Sequence, residues 1–302
     1  MNNLRRVQVS DEITIYSNLK NNSNVVAFER AEGLVLIDTF LFPKHNTELF
    51  DRVVPTDKNR EIILINTHSH SDHCYGNKVF QDVGATVISH KLFEQTISSE
   101  KRMILAGKTY KSLPRRVPSP DITFDGSLAL PHYDLELLHT PGHTLDSITV
   151  YSTNDKILVT GDNTLGSYDD YFVLPYIYWG DLSELKESLE KILTLDIKTV
   201  IPGHGAPLGK DKLEQDLFYL NTLQNKFSSI KELLNQDSIR NLVFSQETSF
   251  FNDDFLGDLI EKHLSIESCL CPTVHQKIGI QEIHSLNIKR LILNFYSNYK
   301  EE

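Results

Sequence analysis

Between residues 67 and 77 the chain reads THSHSDHCYGN, which sets His68, His70, Asp72 and His73 within six positions. A single histidine is usually an ordinary surface or core residue. Four such side chains in one loop are costly to bury unless a cation pairs with them. Three more residues with the same chemistry follow: His143 in LLHTPGHT, Asp162 closing KILVTGD, and His204 in TVIPGHG. Each comes directly after a glycine, which lets the backbone turn tightly and aim the next side chain inward. Five histidines and two aspartates make seven donors, too many for one tetrahedral zinc and the right number for two metals sharing a carboxylate. Such a pair acidifies a water and polarises the bond that the water attacks.

Positioning these residues is the work of strand ends. EITIYS (12–17), NVVAFE (24–29), GLVLIDT (33–39), EIILIN (61–66) and ATVISH (85–90) read as strands, with a helix from about Asn46 and a short one after Gly76-Asn77. The first ligand cluster begins where EIILIN stops. Residues 91–120 are mixed, with one helix before the proline-broken LPRRVPSP. A second set, SLAL (127–130), DLELLHT (134–140), SITVYS (147–152) and KILVTGD (156–162), runs into the amphipathic helix 182–195 and the strand KTVIP (198–202). His143, Asp162 and His204 all follow strands of this set. The halves are alike, each a run of strands closed by a helix and one more strand. From Lys210 an apolar stripe through Leu213, Leu217, Leu220, Leu223, Phe227, Ile230 and Leu234 predicts a long helix, and two more are expected near 252–264 and 284–298. This divides the chain into a catalytic unit, 1–209, and a helical cap, 210–302.

Composition narrows the function. The 302 residues suffice to bury a full core, so no metal is needed to hold the fold. The net charge of −11 and the lack of any long basic cluster exclude a polyanionic partner, so no nucleic acid is expected. No apolar leader or 18-residue apolar run is present, so the expectation is a cytoplasmic protein without a membrane partner. Three cysteines, two of them in Cys269-x-Cys271, fit a reducing compartment. Cys74, next to His73, reads as a small packing residue.

HSHSDH, PGHT after a strand, GD after a strand and the late PGHG, in that order over residues 10–208, resemble the metallo-β-lactamase superfamily of hydrolases. The resemblance implies an α/β fold, an αββα sandwich with the site at the strand ends along one edge. It assigns His68, His70 and His143 to one metal, Asp72, His73 and His204 to the other, and Asp162 as the carboxylate bridging both. It also places Asp38 beneath the metals, where an acidic residue can hold a ligand histidine by its other nitrogen. Donors without thiolate suit Zn²⁺, and equally Mn²⁺ or Fe²⁺. The expected mechanism is attack of a metal-bridging hydroxide on a carbonyl, with Asp72 and Asp162 as the catalytic carboxylates and Asp72 helping to orient the water.

Substrate class depends on what lies beside the ligands. NTLGSYDDYFVLPYIYWGD leaves the strand carrying Asp162, and Tyr168, Tyr171, Phe172, Tyr176 and Tyr178, with Trp179 after them, are candidates for an apolar pocket wall. The resemblance implies further exclusions. Leu165 stands where homoserine lactonases have tyrosine, His70 where flavodiiron proteins have glutamate, and Asp162 where many true β-lactamases have another residue. What remains is the thioester group, glyoxalase II and the acyl thioesterases, which also carry helices after the late PGHG. Lys277, Lys289 and Arg290 are the tail cations available to a glutathione carrier. The expectation is a dinuclear metal hydrolase of a thioester or similar activated acyl compound. The alternatives are a lactone or phosphodiester hydrolase of the same fold, and a metal-bound binding or signalling module acting through the helical tail.

Overall fold

A computed structural model of the chain describes residues 3–54, 60–97, 117–169, 172–177, 179–234, 254–272 and 280–299. Among the described residues the strands form two sheets. The first has seven strands in chain order, β1 (Leu4–Gln8), β2 (Ile13–Asn18), β3 (Asn24–Glu29), β4 (Gly33–Ile37), β5 (Glu61–Ile65), β6 (Thr86–His90) and β7 (Ile122–Phe124). The second has five, in spatial order β12 (Thr199–Pro202), β11 (Ile157–Gly161), β10 (Ile148–Ser152), β9 (Leu135–His139) and β8 (Ser127–Leu130). Antiparallel hairpins give way to parallel pairing at the same point of each half. The β4–β5 pair is parallel across helix α1 (Pro43–Val53), and β11–β12 is parallel across a helix at Leu182–Leu193. A parallel neighbour requires a crossover, and a helix supplies it while covering the sheet.

Period-2 alternation decides the layers. In β4, Val35 and Ile37 point into the space between the sheets, where they meet Leu137, Val150 and Val159. Leu34 and Leu36 point outward onto Leu49 and Val53 of α1 and onto Phe80 of α3 (Asn77–Gln81), which follows the one-turn α2 (Ser71–Cys74). Because both faces are covered, β4 is apolar throughout. The outer face of the second sheet carries the helix at Leu182–Leu193 (α4), whose N-cap Asp181 accepts from the N–H groups of Ser183 and Glu184.

The expected αββα sandwich is therefore formed, with the helices after residue 209 added to one side. Among the described residues these are the α-helices α5 (Lys210–Ile230), α6 (Asp254–His263), α7 (Ile266–Cys269) and α8 (Ile280–Tyr299). Leu213, Leu220, Leu223, Ile288 and Ile292 share one core with Leu185, Leu189 and Val200 of the second sheet's side. Two edge strands, β1 and β7, were not expected from the sequence. Both are short, and β1 alternates buried and exposed residues among charges, so pairing with a neighbour rather than local apolarity makes them strands. Most of 91–120, including LPRRVPSP up to Arg116, lies outside the described residues. Among the described residues no helix is long and apolar enough to cross a membrane.

Candidate metal centre

All seven donor residues stand at the carboxyl ends of strands, on one rim of the sandwich. His68 follows β5, and His70 caps α2, whose turn carries Asp72 and His73 round to the same side. Backbone bonds sew the two halves together there: Ile148 N–H donates to Thr67 O at 2.8 Å, and Asn24 N–H to Gly203 O at 2.7 Å. Close approach at this rim depends on glycine, as Gly142 and Gly203 illustrate. Gly142 has φ +136°, and a Cβ on it would lie 2.3 Å from the Leu185 backbone; a Cβ on Gly203 would lie 2.0 Å from Asp162 Oδ1.

The donors fall into two groups, His68, His70, His143 and Asp162 in one, Asp72, His73 and His204 in the other. In the first, His143 Nε2 is 3.0 Å from His70 Nδ1, and Asp162 Oδ2 is 3.6 Å from His143 Nε2 and 3.9 Å from His68 Nε2. In the second, His73 Nε2 is 3.3 Å from His204 Nε2, and Asp72 Oδ2 is 3.4 Å from His204 Nε2. Asp162 also faces the second group, with Oδ1 3.4 Å from His73 Nε2 and Oδ2 3.5 Å from His204 Nε2. Donors about 2.0–2.1 Å from a shared tetrahedral ion are about 3.4 Å apart, so these spacings suit one ion in each group. His68 Nε2 and Asp162 Oδ1 are buried without a hydrogen-bond partner, and cations there would satisfy both.

Contacts behind the donors set which nitrogen faces inward. His143 Nδ1–H donates to Tyr176 O at 2.7 Å, His204 Nδ1–H to Asn21 O at 2.9 Å, and His73 Nδ1–H to Asp38 Oδ2 at 2.9 Å. Thr67 Oγ1 donates to Asp38 Oδ2 at 2.7 Å, so it accepts from His68 Nδ1 at 3.0 Å. Each of these rings is left with Nε2 toward the centre, whereas His70 presents Nδ1. Asp38 thus lies under ligand candidates of both groups. The carbonyls of Tyr176 and Asn21 could not be read from the sequence, since any residue supplies one.

Electrostatics distinguish the groups. Burial, with the neighbouring imidazoles, holds His68 well below its ordinary value, His70 down at about 3, and His143 below normal, so these rings offer free lone pairs. Burial also opposes charge on His73 and His204, but Asp162 and Asp72 outweigh it, pushing His73 up to about 9 and His204 well above normal. The same charges hold both aspartates far below the usual carboxylate range against the effect of burial. Near neutrality the second group therefore carries protons that an entering metal must displace. Filling both groups at pH 7.5 should release at least about one proton per chain, and affinity should rise with pH up to the His73 value. Calorimetry in buffers of different ionisation enthalpy reads this directly; no net release with pH-independent affinity would contradict the charge assignment.

The model of the metallo-β-lactamase superfamily matches residues 19–204, more than half of the chain. The chain belongs to the metallo-β-lactamase superfamily. This is a family of metal-dependent hydrolases that bind metal ions, typically zinc. A "Beta-lactamase-like protein 2 homolog" of Drosophila melanogaster is 27% identical over 219 residues, 69% of this chain and 66% of that one. A hydroxyacylglutathione hydrolase of Pelagibacter ubique is 29% identical over 195 residues, 63% of this chain and 69% of its own. The fold of a metallo-β-lactamase from Hirschia baltica superposes with TM-score 0.59 at 18% identity, over 72% of this chain and 98% of that one. Residues after 209 lie beyond the matched family region.

In this metallo-β-lactamase fold a cleft of about 530 Å³ opens onto both donor groups, reaching His70, Asp72, His143, Asp162 and His204. Of the expected wall, Phe172, Tyr176 and Trp179 line it. Tyr168 does not. Its hydroxyl donates to Ser17 Oγ at 2.6 Å and its ring lies under Arg5, so the first two strands hold it away from the cleft. Tyr171, Tyr178 and Lys277 lie outside the described residues. Ile280, Glu282, Ile283 and Leu286 of α8 also line the cleft, a contribution not foreseen because an apolar helical stripe does not say what it faces.

Proposed function

We propose that the chain is a dinuclear metal-dependent hydrolase of a thioester or similarly activated acyl compound. The observation that carries this reading is the cleft, where the donor residues face a wall of Leu165, Phe172, Val173, Ile283 and Leu286. An apolar wall beside a polar floor suits an acyl group whose carbonyl reaches the floor. Two divalent ions, zinc being the metal typical of the family, would polarise that carbonyl and acidify a water. His68, His70 and His143 would hold one, Asp72, His73 and His204 the other, and Asp162 both. The chain's residues do the rest: Asn21 Nδ2 donates to Asp72 Oδ2 at 3.0 Å and fixes that carboxylate, while the wall excludes water and orients the acyl group.

The two described tail cations give little support to glutathione as the carrier. Lys289 is buried, and Arg290 Nε donates to Gly180 O at 2.8 Å; neither lines the cleft. The test is a panel of acyl-CoA, other acyl thioesters, S-lactoylglutathione, lactones and bis-aryl phosphates on metal-loaded protein. Thioesters with apolar acyl groups should turn over fastest, and Phe172→Ala should raise KM for them more than it lowers kcat. Phosphodiester turnover far above every thioester would reject the reading.

A further inference from the structure

The added helices reach the metal centre along one buried polar path. Leu264 O, at the end of α6, accepts from His284 Nε2 at 2.7 Å, and Tyr219 Oη on α5 lies 2.9 Å from His284 Nδ1. Asn287 on α8 lies 3.2 Å from that same hydroxyl through Nδ2, which also donates to Pro175 O at 2.8 Å, while its Oδ1 accepts from Ile177 N–H at 3.1 Å. Tyr219, His284 and Asn287 are all at most 1% exposed.

The sense of every bond follows from the carbonyl at the start. A carbonyl only accepts, so His284 carries its proton on Nε2, and burial favours the neutral ring. Nδ1 then accepts from the Tyr219 hydroxyl, whose oxygen accepts in turn from Asn287. With both amide ends committed, Asn287 can sit in only one orientation.

At the far end, the Ile177 N–H held by Asn287 and the Tyr176 C=O that takes the His143 proton belong to one peptide unit. That unit is planar and trans, so its N–H and C=O point in opposite directions and turn together. Holding one end aims the other.

We propose that Asn287 is a positioning residue for His143, an inference that rests on His143 being a metal ligand. Through one peptide plane it aims the carbonyl that sets the tautomer and tilt of the imidazole, so the helices beyond residue 209 tune the affinity of the first metal. The same helix lines the cleft with Ile283 and Leu286, so one element contributes both to the pocket wall and to the path behind His143.

The experiment measures zinc affinity of the full chain by competition with a chromophoric chelator, together with melting temperature in excess EDTA. His143→Ala identifies the ion concerned by losing it. Asn287→Ala should weaken that ion by about 10–100-fold and spare the other, as for groups that orient a ligand histidine. Tyr219→Phe, which removes only the hydroxyl, should weaken the same ion less. Ile292→Ala, buried on the same helix and making none of the path's hydrogen bonds, should lower the EDTA melting temperature and leave zinc affinity unchanged. Unaltered zinc binding in Asn287→Ala, beside a lost ion in His143→Ala, overturns the proposal, as does equal weakening by Ile292→Ala. Should Asn287→Ala not fold, wild-type zinc binding in Tyr219→Phe overturns it. A His143→Ala protein that keeps both ions overturns the ligand assignment and the role of Asn287 with it.

Discussion

Asp162→Ala should lose bound metal and fall in turnover by about 10³-fold or more, since metal polarisation supplies several kcal/mol and about 4 kcal/mol is that factor. No other carboxylate among the described residues faces both donor groups, with contacts of 3.4–3.9 Å to His68, His73, His143 and His204. Removing it leaves two rings that Asp162 helps to keep protonated, so the proton release on metal binding should shrink as well. Asp162→Asn separates charge from shape: the amide fits the space beside Gly203 but supplies no negative charge. Both variants should fail to recover metal in elemental analysis after dialysis against zinc. They should also lose the gain in melting temperature that metal gives the wild type, worth about 2.7 kcal/mol at a free ion concentration 100 times Kd. Full metal content with full activity in either variant would remove Asp162 from the centre.

Asp38→Asn should weaken metal binding by about 10–100-fold, the usual cost of losing a group that orients ligand histidines. The carboxylate accepts three hydrogen bonds, from Thr67 N–H at 2.7 Å, Thr67 Oγ1 at 2.7 Å and His73 Nδ1 at 2.9 Å. An amide nitrogen in place of Oδ1 faces the Thr67 N–H, and in place of Oδ2 it faces both the Thr67 hydroxyl and His73 Nδ1–H, so Thr67 loses a bond either way. Through Thr67 the loss passes to His68, in the other donor group. Asp38 has φ +69°, a region that Asn tolerates and Ala resists by about 1–2 kcal/mol. Asp38→Ala should therefore lose metal affinity and also melt lower in EDTA, with a further cost of about 1–3 kcal/mol for a buried donor left unpaired. Chelator competition and melting curves on both variants separate the two effects. Wild-type zinc affinity in Asp38→Asn would show that the carboxylate only fills space.

The donor residues were legible because they are rare types at strand ends, where HSHSDH, PGHT, GD and PGHG announce themselves without any knowledge of the fold. The sandwich was legible for a related reason. β4 and β5 are apolar on both faces, which only a strand covered on two sides can be, and the helices at α1 and α4 keep a 3.6-residue stripe. Strands β1 and β7 were missed because an edge strand owes its conformation to its partner. Tyr168 and Phe172 were equivalent on paper, four residues apart in one aromatic loop, yet one binds Ser17 and the other faces the cleft.

The amino-acid sequence by itself thus determined the family, the sandwich and the set of residues available to a metal, because ligand type and hydrophobic period are local properties. Tertiary structure alone decided what surrounds them. It set Asp38 and Thr67 beneath two donor groups, laid α8 over the cleft, and joined Asn287 to His143 across 144 positions of chain through the Tyr176–Ile177 peptide. Those contacts are made by backbone groups and by polar side chains of ordinary type, whose partners are chosen by packing and carry no signal in the order of residues.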